Sequence, residues 1–236
     1  MKITWFGQAC FLIESDGTAG SADRLAIITD PYDPKIGLTL PDNLCADVVT
    51  VSHQHMDHNN ISAIGGNPTV ISTSLPIGTK PVEIKDVTIV GIDSFHDNEG
   101  GKKRGKNIIF KFAISDENND RIVFAHLGDL GHVLNDDQLR QLVGTGNIDI
   151  LMIPVGGTYT IDAAVAVKVV HQIQPKIIIP MHYGIQGLGF PLDPVGMFTE
   201  KLAKPIKTED ILKISKTSLD AMEKEAEVVV LRPMGH

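Results

Sequence analysis

The run Val51-Ser52-His53-Gln54-His55-Met56-Asp57-His58-Asn59-Asn60 constrains this chain more than any other stretch, because it places four potential metal ligands within six positions. Ahead of it, Asp47-Val48-Val49-Thr50-Val51 is rich in β-branched residues and of strand type, and behind it Asn59 or Asn60 is placed to cap a short helix. The ligands therefore belong to a strand-to-helix loop, where the in-and-out alternation of a strand no longer fixes side-chain direction. His53 and His55 can face one point while Asp57 and His58 turn toward a neighbouring one. One ion would leave ligands idle; two would use them all. A solvated polar loop would account for the polarity, but not for three imidazoles and a carboxylate at this spacing.

The remainder of the chain supplies an ordinary core around that loop. Its 236 residues are 42% hydrophobic, enough for one compact domain spanning 1–236, with no linker or low-complexity stretch between its halves. The opening Met1-Lys2-Ile3-Thr4-Trp5-Phe6-Gly7 lacks the apolar core of a signal peptide, and no apolar run reaches membrane-spanning length. The expected location is cytoplasmic, with no membrane partner. Cys10 and Cys45 are the only cysteines, so no disulfide framework is expected. A formal net charge of -8 argues against a nucleic-acid partner held by a broad basic surface. It is compatible with a small anionic substrate, since bound dications reverse the potential inside a pocket.

In chain order, residues 2–6, 9–14 and 24–29 read as a β-meander, the last strand ending at Asp30-Pro31. Residues 32–46 hold Pro34 and Pro41 and little periodicity, so a long loop overhanging the pocket is expected. Strands are expected at 69–72, 82–84 and 87–92, the last running toward His96. The turn Gly100-Gly101-Lys102-Lys103-Arg104-Gly105-Lys106 is basic and reads as a solvated hairpin connection or as a contact for a substrate anion. Strands at 108–114 and 121–125 flank a turn at 116–120 and lead into His126-Leu127-Gly128-Asp129-Leu130-Gly131-His132, a second ligand loop. Helices are expected at 136–142, capped by Asn135, at 161–171 and at 194–202. Strands are expected at 148–155, 176–180, 211–214 and 227–231. The strand at 176–180 delivers Met181-His182, and the one at 148–155 delivers Gly156-Gly157-Thr158-Tyr159-Thr160, a turn that can offer backbone N–H groups to an anion.

His96, Asp129 and His182 thus emerge beyond strand ends far apart in sequence. With His53, His55, Asp57 and His58 they make seven ligands, enough for two ions of nitrogen and oxygen preference if one carboxylate is shared. Here the sequence resembles the metallo-β-lactamase-fold hydrolases, whose His-x-His-x-Asp-His signature stands at residues 53–58, with Gly128-Asp129 and Pro180-Met181-His182 matching their later motifs. Trp5-Phe6-Gly7, Thr29-Asp30-Pro31, Phe95-His96-Asp97, Arg104-Gly105-Lys106-Asn107 and the 126–132 and 155–160 runs look like the uncharacterised metal-dependent hydrolases near the ascorbate-6-phosphate lactonases. The resemblance implies an α/β fold, a four-layer αββα sandwich with a dinuclear site at one edge. It implies that His53, His55 and His96 hold one ion, that Asp57, His58 and His182 hold the other, that Asp129 bridges them, and that Asp30 orients a ligand histidine. Relatives commonly carry Gly-His where this chain has Gly7-Gln8, and glutamine cannot titrate.

The expected cofactors are two divalent ions, Zn2+ first, with Mn2+ or Fe2+ as competitors. The expected reaction is cleavage of an ester-like bond, phosphoester or lactone, by a metal-activated hydroxide that Asp57 or Asp129 orients. His126 has three readings: an outer partner of a ligand, a proton donor to the leaving group, or a substitute for His96. Tyr159 or a water are the other proton donors. A homo-oligomer is compatible with the sequence. An iron-type oxidoreductase, a non-catalytic metal-binding protein and an RNA-directed nuclease are the alternatives that this fold family also offers.

Overall fold

The apolar runs sort into two sheets. The computed structural model describes residues 1–17, 24–72, 81–116, 118, 120–144, 146–222 and 225–235. In chain order its strands are β1 (Lys2–Trp5), β2 (Phe11–Glu14), β3 (Ala26–Thr29), β4 (Val48–Thr50), β5 (Thr69–Ile71), β6 (Val82–Ile84), β7 (Val87–Phe95), β8 (Lys106–Ser115), β9 (Arg121–His126), β10 (Ile150–Pro154), β11 (Ile177–Met181), β12 (Ile206–Glu209), β13 (Ile211–Lys213) and β14 (Glu227–Leu231). The helices are α1 (Asp136–Val143), α2 (Ala163–Ile173), α3 (Gly196–Leu202) and α4 (Lys216–Asp220), and 3-10 turns occupy Pro34–Ile36 and Ile61–Ala63. No helix among the described residues is long and apolar enough to cross a membrane. Of the turn expected at 116–120, Glu117 and Asn119 lie outside the described residues.

Among the described residues one sheet runs β13-β1-β2-β3-β4-β5 and the other β12-β14-β11-β10-β9-β8-β7-β6. In the first, β1 to β3 are antiparallel, while β3, β4 and β5 are parallel. In the second, β7, β8 and β9 alternate in direction and β9, β10, β11 and β14 are parallel. Two antiparallel steps return β7 to the direction of β9, so β7, β9, β10 and β11 all end at one edge. Buried Trp5, Phe11, Phe110, Phe112 and Phe124 fill a single apolar cluster with side chains from both sheets, and the Phe112 and Phe124 rings stack at 4.6 Å.

Helices α1, α2 and α4 start at side-chain caps, while α3 follows Val195 without one. Asn135 accepts from Gln138 N while Gln138 Oε1 accepts from Asn135 N, a reciprocal capping box, and Asp162 caps α2 by accepting from Val165 N. The apolar face of α2, with Ala166, Val169, Val170 and Ile173, belongs to the main cluster. A second cluster lies on the first sheet: Ile28, Val49 and Val51 are covered by Tyr32, Ile36, Leu38 and Leu44. The loop at 32–46 therefore forms much of the outer layer on that face. It is also locked in place. Gly37 has φ +93°, Gly189 N donates to Ile36 O at 2.7 Å, and a Cβ on Gly37 would stand 2.2 Å from Gly187 O. Only glycine fits there, so the 32–46 loop and the 187–189 loop are pinned backbone to backbone.

Two elements were absent from the sequence reading, β12 and α4, and β7 runs to Phe95 instead of stopping near Ile92. The cap expected at Asn59 or Asn60 leads into the 3-10 turn Ile61–Ala63, and the Asn60 amide bonds Tyr32 O instead of capping it.

Candidate metal centre

All seven expected ligand side chains meet at the edge where the parallel strands end. Residues 53–58 follow β4 of the first sheet, while His96, Asp129 and His182 follow β7, β9 and β11 of the second. They fall into two groups whose ligand atoms all lie within 4.8 Å of one another: His53, His55 and His96, and Asp57, His58, Asp129 and His182. Each group draws on both sheets. Asp129 is central, with its Oδ2 3.1 Å from His96 Nε2, 3.2 Å from His58 Nε2, 3.4 Å from His182 Nε2 and 3.8 Å from His53 Nε2.

Hydrogen bonds behind the ligands decide which nitrogen each ring presents. Asp30 is fully buried at φ +41°, and its carboxylate accepts from Ser52 N at 2.7 Å, Ser52 Oγ at 2.6 Å and His58 Nδ1 at 2.9 Å. A carboxylate can only accept, so His58 carries its proton on Nδ1 and turns Nε2 to the centre. The single Ser52 hydroxyl proton goes to Asp30, so the His53 Nδ1–H donates to Ser52 Oγ at 3.0 Å and leaves a lone pair on Nε2. That lone pair faces His55 Nδ1 at 2.9 Å, an approach that needs a proton or a cation between the two rings. Asp30 thereby fixes the direction of the His58 ring.

Charge is distributed unevenly between the two groups. Burial works against the ionised Asp129, but the charges of His182 and His58 hold its carboxyl well below the usual range. Burial also opposes charge on His182, and Asp129 overrides it, raising that imidazole to about 9. His58 is raised in the same way by Asp129 and Asp57. Burial and the His58 charge instead push His53 down to about 3, and burial lowers His55. One group thus demands positive charge around two carboxylates, and the other offers neutral imidazoles. Both are what divalent cations require. His96 Nδ1, Asp129 Oδ1 and both nitrogens of His182 are buried without a hydrogen bond, and His58 Nε2 approaches Asp129 without hydrogen-bond alignment. A carboxylate oxygen and imidazole nitrogens left without partners at this centre fit a metal site.

His126 stands apart from both groups. Its Nε2 donates to Ala9 O at 2.9 Å, and its Nδ1 accepts from Gly128 N at 3.2 Å, within a fully buried site. With both ring nitrogens bound to backbone, it has neither a lone pair for an ion nor a proton for a leaving group. These bonds tie the ring to Ala9 and to the turn that carries Asp129, and the imidazole grouped with His53 and His55 is His96.

Sequence reasoning passed over two residues that build the site. Asn107, fully buried, accepts from Asp129 N at 2.9 Å and donates to Leu127 O at 2.9 Å and Ser94 Oγ at 2.7 Å, fixing the Asp129 turn to β7. Gly128, at φ +54°, leaves room for this hub, since its Cβ would meet Asn107 Oδ1 at 2.4 Å. Asp97 accepts from the backbone N–H groups of Glu99, Gly101, Lys103 and Arg104 at 2.8–2.9 Å, so the basic turn is wrapped around a carboxylate. Asn107 had one visible signal, a polar residue opening an apolar strand. Asp97 had none beyond its place after His96. Gln8, buried at φ +49°, donates from Nε2 to Asp57 Oδ2 at 3.2 Å.

The centre opens through His55, His96, Asp57 and Asp129 into a cavity of about 570 Å3, a size suited to a small molecule. The expected overhang of the 32–46 loop is present as Lys35 and Ile36 in its wall.

Residues 2–182 match the model of the Beta-lactamase superfamily domain, a span that takes in all seven candidate ligands. The chain belongs to the beta-lactamase superfamily. Within the superfamily it is similar to the UPF0173 protein of Pyrococcus abyssi, 31% identical over 203 residues that cover 80% of this chain and 86% of the relative. It is also similar to the UPF0173 metal-dependent hydrolase of Archaeoglobus fulgidus, 27% identical over an aligned length of 259 positions, gaps included, that covers 99% of this chain and 96% of the relative. A crystal structure from Thermotoga maritima, provisionally described as a Zn-dependent hydrolase of the metallo-beta-lactamase superfamily, matches at 40% identity and a TM-score of 0.73, covering 98% of this chain and 97% of its own. The superfamily resemblance read from residues 53–58, 129 and 182, and the mixed α/β two-sheet architecture it implied, are therefore found.

Proposed function

We propose that this chain is a hydrolase dependent on two divalent ions, Zn2+ first, that cleaves an ester-like bond, phosphoester or lactone, in a small anionic substrate. The observation that carries this reading is the place of Asp129, one carboxylate oxygen within 3.8 Å of four imidazole nitrogens drawn from both sheets. His53, His55 and His96 would hold one ion, Asp57, His58 and His182 the other, and Asp129 both. Bound there, the ions would supply an activated water and Lewis-acid polarisation of the substrate.

The chain's own residues do the rest. Asp57 is the half-buried carboxylate at the cavity, and the Gln8 amide fixes it as an acceptor that orients the attacking water. Because that amide cannot titrate, it holds Asp57 without competing for the proton. With His126 bound at both nitrogens, the leaving group takes its proton from water or from Tyr159, which lines the same cavity. The net charge of -8 supports a compact substrate over a nucleic acid, and the chain is read as one domain working in the cytoplasm.

Elemental analysis of the purified protein should find about two divalent ions per chain. A panel of lactones, sugar phosphates, cyclic nucleotides and short RNA should show turnover among the small esters. Lactones head the panel because the motifs of this chain resemble those of the uncharacterised metal-dependent hydrolases near the ascorbate-6-phosphate lactonases. Efficient, salt-sensitive RNA cleavage with no small-ester turnover would overturn the reading.

A further inference from the structure

Three cations reach the cavity: Lys35, Lys103 and Arg104. Two of them are already matched, Lys103 by Glu99 and Lys35 by Asp33 at 3.6 Å. Arg104 is in no ion pair among the described residues. Its position is nevertheless fixed: Nη2 donates to Thr158 O at 3.1 Å, and its guanidinium carbon lies 5.4 Å from the centre of the Tyr159 ring. Its own backbone N–H is held by Asp97 at 2.8 Å. Thr158 sits at φ +51°, a left-handed conformation that a β-branched residue adopts only under constraint, so the carbonyl it presents to Arg104 is built into the turn. Tyr159 meets Phe190 edge to face at 5.7 Å, and Phe190, Met56 and Ile36 add apolar lining to the same cavity. The remaining N–H donors of Arg104 are pre-ordered with no carboxylate to satisfy them. A planar fork in that state is a receptor for a bidentate oxyanion.

Resting on the hydrolase reading above, we infer that Arg104 is the specificity residue of this site. It takes an oxyanionic group of the substrate other than the bond to be broken, while the aromatic and aliphatic wall takes an apolar or planar body. The substrate class is then an amphiphilic ester, charged at one end and hydrocarbon or aromatic through its middle. A neutral ester would reach the ions but leave Arg104 unanswered, and a fully polar sugar derivative would leave the wall in contact with hydroxyls.

The test uses the purified, ion-loaded protein and calorimetric titration with phenylphosphonate, benzoate and benzyl alcohol, alongside turnover of a matched pair of anionic and neutral aryl esters. Arg104→Gln should weaken phenylphosphonate or benzoate at least about tenfold and leave benzyl alcohol unchanged, the loss expected for a charge-assisted hydrogen bond. Preference for one acid over the other separates a phosphoryl from a carboxylate group. Arg104→Lys should recover part of the affinity, since it keeps the charge and loses the fork, and an unchanged melting temperature excludes collapse of the turn. The kcat/KM ratio of anionic to neutral ester should fall by a similar factor in Arg104→Gln. Anion binding and ester preference that ignore both substitutions would overturn the inference even with hydrolysis intact. Arg104-dependent anion binding with no turnover of any ester would instead overturn the hydrolase reading and leave this one standing.

Discussion

Asp129 and His126 lie three residues apart in one turn, yet substitution should separate them cleanly. Asp129→Ala removes the oxygen shared by both ligand groups, so elemental analysis should find both ions depleted, whereas His58→Ala or His182→Ala should cost chiefly one. Retention of two ions at wild-type affinity by Asp129→Ala would remove the shared-carboxylate assignment. His126→Ala should keep both ions and lose stability of roughly 1–3 kcal/mol in urea unfolding, because it strands the Ala9 carbonyl and the Gly128 amide in the interior. Asn107→Leu is the informative intermediate. It touches no ion, but it frees the Asp129 turn, and ion affinity should fall about ten- to a hundredfold, as when a ligand loses its outer hydrogen bond.

At the scale of elements, α4 is fastened by charge. The buried Asp149 carboxylate accepts from Val123 N at 2.9 Å and from Lys216 Nζ at 2.9 Å, joining β9 and the start of β10 to the first turn of α4. Burial works to lower Lys216, but the hydrogen bond and charge of Asp149 override it and raise the ammonium above its ordinary value. A raised folded value means this stabilisation is complete below the unfolded lysine pKa of about 10.4 and is lost as pH rises through the folded value. Urea stability should therefore carry this pair's full contribution, unchanged, between pH 7 and 9 and decline above about pH 10.5. Lys216→Met should lower stability by about 1–2 kcal/mol at pH 8 and flatten that alkaline decline. Such fastenings explain what the sequence hid. The strand ends carrying His53, His96, Asp129 and His182 were legible because an apolar β-branched run followed by a polar ligand has a readable boundary. β12 was not, since all four of its residues are exposed and leave no alternation to detect. α4 spans only five residues, too few for a helical period. The roles of Asn107 and Asp97 lie in bonds to backbone atoms, which have no spacing signature. His96 and His126 share the same strand-end pattern, and only the direction of the ring, toward the centre or toward Ala9, tells them apart.

At the scale of the whole molecule, each ligand group takes side chains from both sheets, so bound ions would act as ties across the sandwich. Removing them with a chelator should then cost stability as well as activity. For each ion present at about a hundred times its dissociation constant the loss is about 2.7 kcal/mol, so about 5.4 kcal/mol for two. At roughly 2–4 °C per kcal/mol for a chain of this size, scanning calorimetry should record a fall of about 10–20 °C that added Zn2+ reverses. An unchanged melting temperature would mean that the sheets do not depend on the site. The backbone contact between Gly37 and the 187–189 loop carries a consequence in time. One wall of the cavity is spliced into the layer that covers the first sheet, so it cannot swing aside to admit a ligand and swing back to trap it. Stopped-flow association of phenylphosphonate should accordingly be a single phase whose rate rises in proportion to concentration without a plateau. A residue with a Cβ at Gly37 should part the two loops and introduce the slow second phase that a hinged cover would show.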